Sequence, residues 1–167
     1  MKFNGKKLVF TLSLIATLLV VSGNIFAQST TSLNSNARPN RVVGLWDVDV
    51  VVSNCTTGAV MTSFSALHLY NLGGTGQVVP SAPPILLSPH MAIWKHIEGN
   101  DFEQTIKMFR FNAEGELVGW NVITNDVTIS ADGEDLVGSG VASIYNAAGV
   151  KVAESCPALV GTRFTGE

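Results

Sequence analysis

From Val42 onward the chain is punctuated by short turns: Asn54–Gly58, Gly73-Gly74, Gly99-Asn100, Ala113-Glu114-Gly115, Ala131-Asp132-Gly133 and Ala147-Ala148-Gly149. Each holds a residue tolerant of positive φ, and connections this short can join only antiparallel neighbours. The segments between them carry strand patterns. Val42, Gly44, Trp46, Val48, Val50 and Val52 share one face, with Asp47 and Asp49 on the other, a period of two that buries one side. Continuing this reading predicts eight strands: Val42–Ser53, Val60–Leu72, Thr75–Val79, His90–Glu98, Asp101–Asn112, Glu116–Ser130, Glu134–Asn146 and Val150–Phe164. No segment reads as a convincing helix. The one long connection, Pro80–Pro89, holds four of the six prolines around an apolar Ile85-Leu86-Leu87.

The expected fold is therefore all-β, an eight-stranded antiparallel up-and-down barrel. Closure removes exposed edges and leaves an interior that packs solid or holds one small ligand. A two-sheet sandwich is the competing arrangement, but it needs long crossovers that only Pro80–Pro89 can supply. Closing the meander pairs the first strand with the last. The pairs Cys55–Cys156 and Trp46–Arg163 fit one antiparallel register to within two residues, so a single alignment with at most one bulge near Pro157 serves both.

The N-terminus has the form of a cleavable export signal. Lys2, Lys6 and Lys7 precede an apolar run, Leu8–Val21, too short to span a bilayer comfortably, and Ile25-Phe26-Ala27 offers a small-residue cleavage site. An uncleaved N-terminal anchor is the rival. The expected organisation is a signal peptide over 1–27, a Ser/Thr/Asn-rich disordered leader over 28–40 and the barrel over 41–167. Cleavage would leave no stable membrane anchor and a secreted or periplasmic protein, bacterial by the look of its signal. In that compartment the two cysteines read as one disulfide, with two free thiols as the alternative. The three lysines leave with the signal, so seven of the ten basic side chains remain against thirteen acidic ones, a net charge of −6. An acidic chain without basic clusters argues against nucleic acid or an anionic membrane as partner.

Gly44-x-Trp46 on the first strand and an arginine, Arg163, on the last resemble the lipocalin/calycin signature. The resemblance implies that Arg163 packs across Trp46 and closes the barrel bottom, which physically is a cation–π contact. The segment 42–164 also resembles a group of small exported bacterial proteins. The shared motifs are Gly44–Trp46, Cys55–Gly58, Ser88-Pro89-His90 followed by Trp94, Phe109–Phe111, and Cys156 followed by Gly161-Thr162-Arg163-Phe164. That likeness implies compartment and fold, and no activity.

Candidate site residues are few. His90, Trp94 and His96 share one strand face, but six positions put the two histidines roughly 20 Å apart, too far for a common metal. His68 alone can meet one of them across the barrel, and no metal or cofactor site is expected. His90 closes the long loop at a barrel mouth, which makes it the leading ligand contact; an N–H donor tying down that loop is its plainer role. His68, Tyr70, Trp94 and Trp120 complete the candidate ligand-binding set. Polar Gln104, Asn121, Thr124, Asn125 and Asp126 stand among apolar neighbours, with Phe109 and Tyr145 as further aromatics. Those that face inward would give a mixed cavity. Asp47 and Asp49 lie at acid/base spacing, yet they oppose the Val/Trp face and should point to water.

No nucleophile elbow, phosphate loop, Cys-x-x-Cys or His-Glu-x-x-His motif is present. The reading favours a binder over an enzyme: an exported lipocalin-like barrel that takes a small apolar molecule. The first alternative resembles allene oxide cyclase and bacterial cyclases, which work largely by confinement. The second is a filled barrel acting as a structural module. An interior of a few hundred cubic ångströms would favour the first two, and a buried ionisable group facing it (His68, His90 or Asp126) the enzyme. Ile85-Leu86-Leu87 is expected either to cover the mouth or to serve as a contact patch.

Overall fold

The computed structural model describes residues 38–81 and 87–166. The expected signal segment, most of the leader and the Ile85-Leu86 pair lie outside them. The last three leader residues, Arg38–Asn40, form a single 3-10 turn that leads directly into the barrel.

Eight strands follow: β1 (Gly44–Ser53), β2 (Val60–Tyr70), β3 (Thr75–Pro80), β4 (His90–Glu98), β5 (Asp101–Phe111), β6 (Leu117–Ile129), β7 (Asp135–Asn146) and β8 (Lys151–Arg163). Every predicted strand is found, with ends within two residues of those expected. Each strand pairs antiparallel with the next, and β1 pairs with β8, giving a closed up-and-down barrel consistent with a lipocalin-like fold. The sandwich is thereby excluded.

The β1–β8 seam runs without a shift from Trp46 opposite Arg163 to Ser53 opposite Cys156. The allowance for a bulge near Pro157 is not needed. Cys55 sits two residues past Ser53, in the turn, and reaches diagonally to Cys156 across a Cα–Cα distance of 5.1 Å to form the disulfide. Pro157, which has no N–H to give, stands opposite Val52 in this seam, and the β7–β8 ladder steps over it from Ser139–Ala158 to Ala142–Ser155.

Alternation sends Trp46, Val48 and Val50 inward on β1 and leaves Asp47 and Asp49 exposed, as expected. Val48, Val127, Ile129 and Leu136 are 0–1 % exposed. The barrel has two unlike ends. One carries Trp46, Arg163 and the turns after β2, β4 and β6; it is called the closed end below. The other carries the disulfide, the 80–89 connection and the turns after β5 and β7; it is called the open end.

Candidate functional site

The closed end is a plug. Trp46 is fully buried, and its indole N–H donates to the Val42 carbonyl at 2.8 Å. The Arg163 guanidinium lies 4.3 Å from the Trp46 ring centroid and donates to the carbonyls of Gly133 (2.9 Å), Val43 (2.9 Å) and Arg41 (2.7 Å). Burial of this cation is thus matched by three acceptors and an aromatic face. A recess of about 560 Å³ lies outside this plug, among Arg38, Arg41, Asp132, Glu134 and Arg163. Its two inner cations already serve as struts, since Arg41 also donates to Asn100 Oδ1 at 3.1 Å and to the Ala131 carbonyl.

Two of the expected ligand contacts belong to the core beside this plug. The Trp94 N–H is shared between the carbonyls of Asn71 (3.0 Å) and Thr75 (3.1 Å), which tie it to the β2–β3 turn. Its ring meets Phe102 edge-on at 5.9 Å and Tyr70 at 6.4 Å. Burial drives the Tyr70 phenol pKa upward, and its hydroxyl has no partner among the described residues. Neither ring lines the interior void described next.

Trp120 points the other way. On β6 the inward positions are Asn121, Ile123 and Asn125, so Trp120 stands on the outer face. There it stacks on Tyr145 at 5.7 Å, with Lys107 Nζ 5.4 Å above it. It is therefore no part of an interior site. Thr124 and the exposed Asp126 are outward for the same reason, so Asp126 is not a cavity acid.

The interior void occupies the half nearer the open end and measures about 60 Å³. At about 15 Å³ of this measure per water-sized group, it accepts roughly four such groups. Val50, Val78, Ile106, Met108 and Leu159 form its apolar wall, and His68, His90 and Asn125 interrupt it. His68 and Val78 are paired across β2 and β3, and Val78 and His90 across β3 and β4. The two imidazoles therefore flank Val78 on one inner wall, rather than facing each other across the barrel.

Burial holds His68 down to about 4, with proximity to His90 adding to the effect; burial lowers His90 too. Both rings are thus neutral at neutral pH. His68 Nδ1 and His90 Nε2 are buried without a hydrogen-bond partner among the described residues. His90 consequently does not tie down the loop. Ser88 does that: its N–H donates to the Phe109 carbonyl (3.0 Å), and its hydroxyl accepts from the Phe109 N–H (2.8 Å).

Asn125 donates weakly to Gln104 Oε1 at 3.4 Å, which leaves Asn125 Oδ1 and Gln104 Nε2 unpartnered and buried. Gly140, opposite Asn125 on β7, makes room for that amide: a Cβ there would lie 2.5 Å from Asn125 Oδ1. In the sequence Gln104 and Asn125 are polar residues among apolar ones, and nothing there tells which way they face. Among the described residues there is no group of three or more His, Cys, Asp or Glu that could hold a metal ion. His96 is apart from this cluster, bonded to the Gly99 carbonyl at 3.1 Å. What the arrangement offers is a compact apolar chamber with neutral imidazole and amide groups, each able to give or take a hydrogen bond. Compared with known proteins, the chain matches no family model, no curated protein and no solved structure.

Proposed function

We propose that this is an exported lipocalin-like barrel that binds one compact small molecule in the chamber between His68, His90 and Asn125. One observation carries the reading: these three side chains line the same void, and each keeps a buried polar atom without a partner among the described residues. Leaving such a group unpaired costs about 1–3 kcal/mol, so a bound molecule that pairs with several of them has a large favourable contribution waiting. The disulfide supports export, because such bonds persist in oxidising compartments.

The size of the chamber narrows the ligand. A void of about 60 Å³ fits a molecule of a few heavy atoms, with apolar and hydrogen-bonding parts, rather than a bulky hydrocarbon. Confinement of a long polyene has no room there, and the cyclase reading loses its substrate. The test is recovery of ligand from the purified protein. Organic extracts analysed by mass spectrometry should yield a near-equimolar compound of low mass. Val50→Phe, which fills the chamber, should abolish that recovery while leaving the fold intact. Equal recovery from Val50→Phe would overturn the proposal.

A further inference from the structure

One inward side chain near the chamber is only partly satisfied by the fold. Met108 lines the void, and Arg110, two residues further along β5 toward the open end, shares its inward face. Its nearest inward neighbour on β6 is Gly119. Gly119 has φ of +147°, and a Cβ there would lie 2.0 Å from the Tyr145 carbonyl. With no side chain in the way, Arg110 extends across Gly119 and donates to that same carbonyl at 3.2 Å. Its Nε remains buried with no partner among the described residues.

The charge around it is one-sided. Of the thirteen acidic residues, Asp47, Asp49, Glu98, Asp101, Glu103, Asp126, Asp135 and Glu154 lie on outward strand positions or strand ends. Glu114, Glu116, Asp132 and Glu134 lie exposed in turns, and Glu167 ends the chain. None forms an ion pair with Arg110 among the described residues. The sequence between β3 and β4 adds no acid, since 82–86 reads Ala-Pro-Pro-Ile-Leu. A half-buried guanidinium normally has a counter-charge or a full set of acceptors. Arg163 at the closed end has such a set, and Arg110 does not.

We propose that Arg110 is the anion-binding group of the interior site, and that the ligand is a small organic carboxylate. Its carboxylate meets the Arg110 guanidinium near the mouth, and its apolar part enters the chamber beside His68 and His90. The proposal rests on the reading of the interior as a ligand site and specifies the ligand's charge. Size agrees with it: a three-carbon tail fits a void of roughly four water-sized groups.

The test compares butyrate with butyramide, which match in shape and differ in charge. Binding is followed by the ring resonances of His68 and His90 at pH 7.5. Butyrate should bind at least tenfold more tightly than butyramide, and Arg110→Gln should bring the ratio close to one. Equal binding of the two probes by the unaltered protein overturns the carboxylate assignment and leaves the ligand site standing. A preference that persists in Arg110→Gln overturns the role of Arg110. Binding of neither probe, with His resonances unmoved at saturating concentration, overturns the carboxylate assignment; recovery of another compound from the chamber would then still uphold the site. The comparison within the unaltered protein does not depend on how well the variant folds. If Arg110 is only a strut to Tyr145, Arg110→Gln lowers stability and leaves the ratio unchanged, which also overturns the proposal.

Discussion

Both halves of this barrel contain buried polar side chains, and they differ in what those polar atoms do. At the closed end the Trp46 N–H, the Trp94 N–H and the Arg163 guanidinium all end on backbone carbonyls. Around the void and at the mouth His68, His90, Asn121, Asn125 and Arg110 each keep an unpartnered buried atom, as does Gln104 beside Asn125, whereas among the closed-end side chains only the Tyr70 hydroxyl does. Since buried polar groups in folded proteins are overwhelmingly paired, burial alone does not separate a core from a site, but satisfaction does. The Trp46–Arg163 plug is finished by folding. On the proposed function, the void is completed by its ligand.

The sharpest test of that contrast is at the plug. Trp46→Ala removes a fully buried indole, its hydrogen bond and its stacking on Arg163, and should cost about 3–5 kcal/mol in chemical denaturation. A cost below about 1 kcal/mol would mean that the closed end is not the stabilising half.

Acid should act through the opposite half. The His68 pKa lies near 4 in the folded chain, below its ordinary 6.5, so between those values the unfolded chain binds more protons. Stability contributed by neutral His68 is complete above about pH 6.5 and is lost as pH falls toward 4, by about 3 kcal/mol. The lowered pKa of His90 acts with the same sign. Comparison of unfolding free energies for the protein and His68→Leu between pH 7.5 and 4 isolates this contribution from the carboxylates. Identical pH profiles would contradict a buried neutral imidazole.

The smallest stability effect is expected at the site itself. His90→Leu exchanges a ring with an unpartnered nitrogen for an apolar side chain of similar size, so no hydrogen bond is lost. Stability should change by less than about 1 kcal/mol, while occupancy of the chamber falls. A loss comparable to that of Trp46→Ala would erase the distinction between the halves.

The fold was legible because turns and alternation are local signals. Glycine- and asparagine-containing turns at regular spacing required antiparallel neighbours, and two residue pairs placed β1 against β8. The site was less legible because it depends on which face of each strand is inside, a property that alternation gives only relative to a known anchor. Trp46 supplied that anchor for β1. On β6 nothing in the sequence distinguished Trp120 from Asn121, and Trp120 proved to be outward. His68 and His90 were singled out as ionisable groups, but their place on a shared wall follows from the registers of β2, β3 and β4. Arg110, between Phe109 and Phe111, carries no motif that marks it as a site residue. Counting by twos from Gln104 would have put it inside, and Gly119 in the middle of a strand pattern was the further cue.

The β1–β8 seam also has a temporal meaning. Its partners are separated by nearly the whole domain, and Cys55 and Cys156 are 101 residues apart, so no partial chain can make this closure. Contacts of such sequence separation form slowly, because most of the chain must be ordered before they are rewarded. In the folded chain the cysteines are held at a Cα–Cα distance of 5.1 Å by the pairing of β8 with β1. The oxidised pair is then a covalent record of barrel completion, and thiol reactivity during folding would report when the last strand arrives.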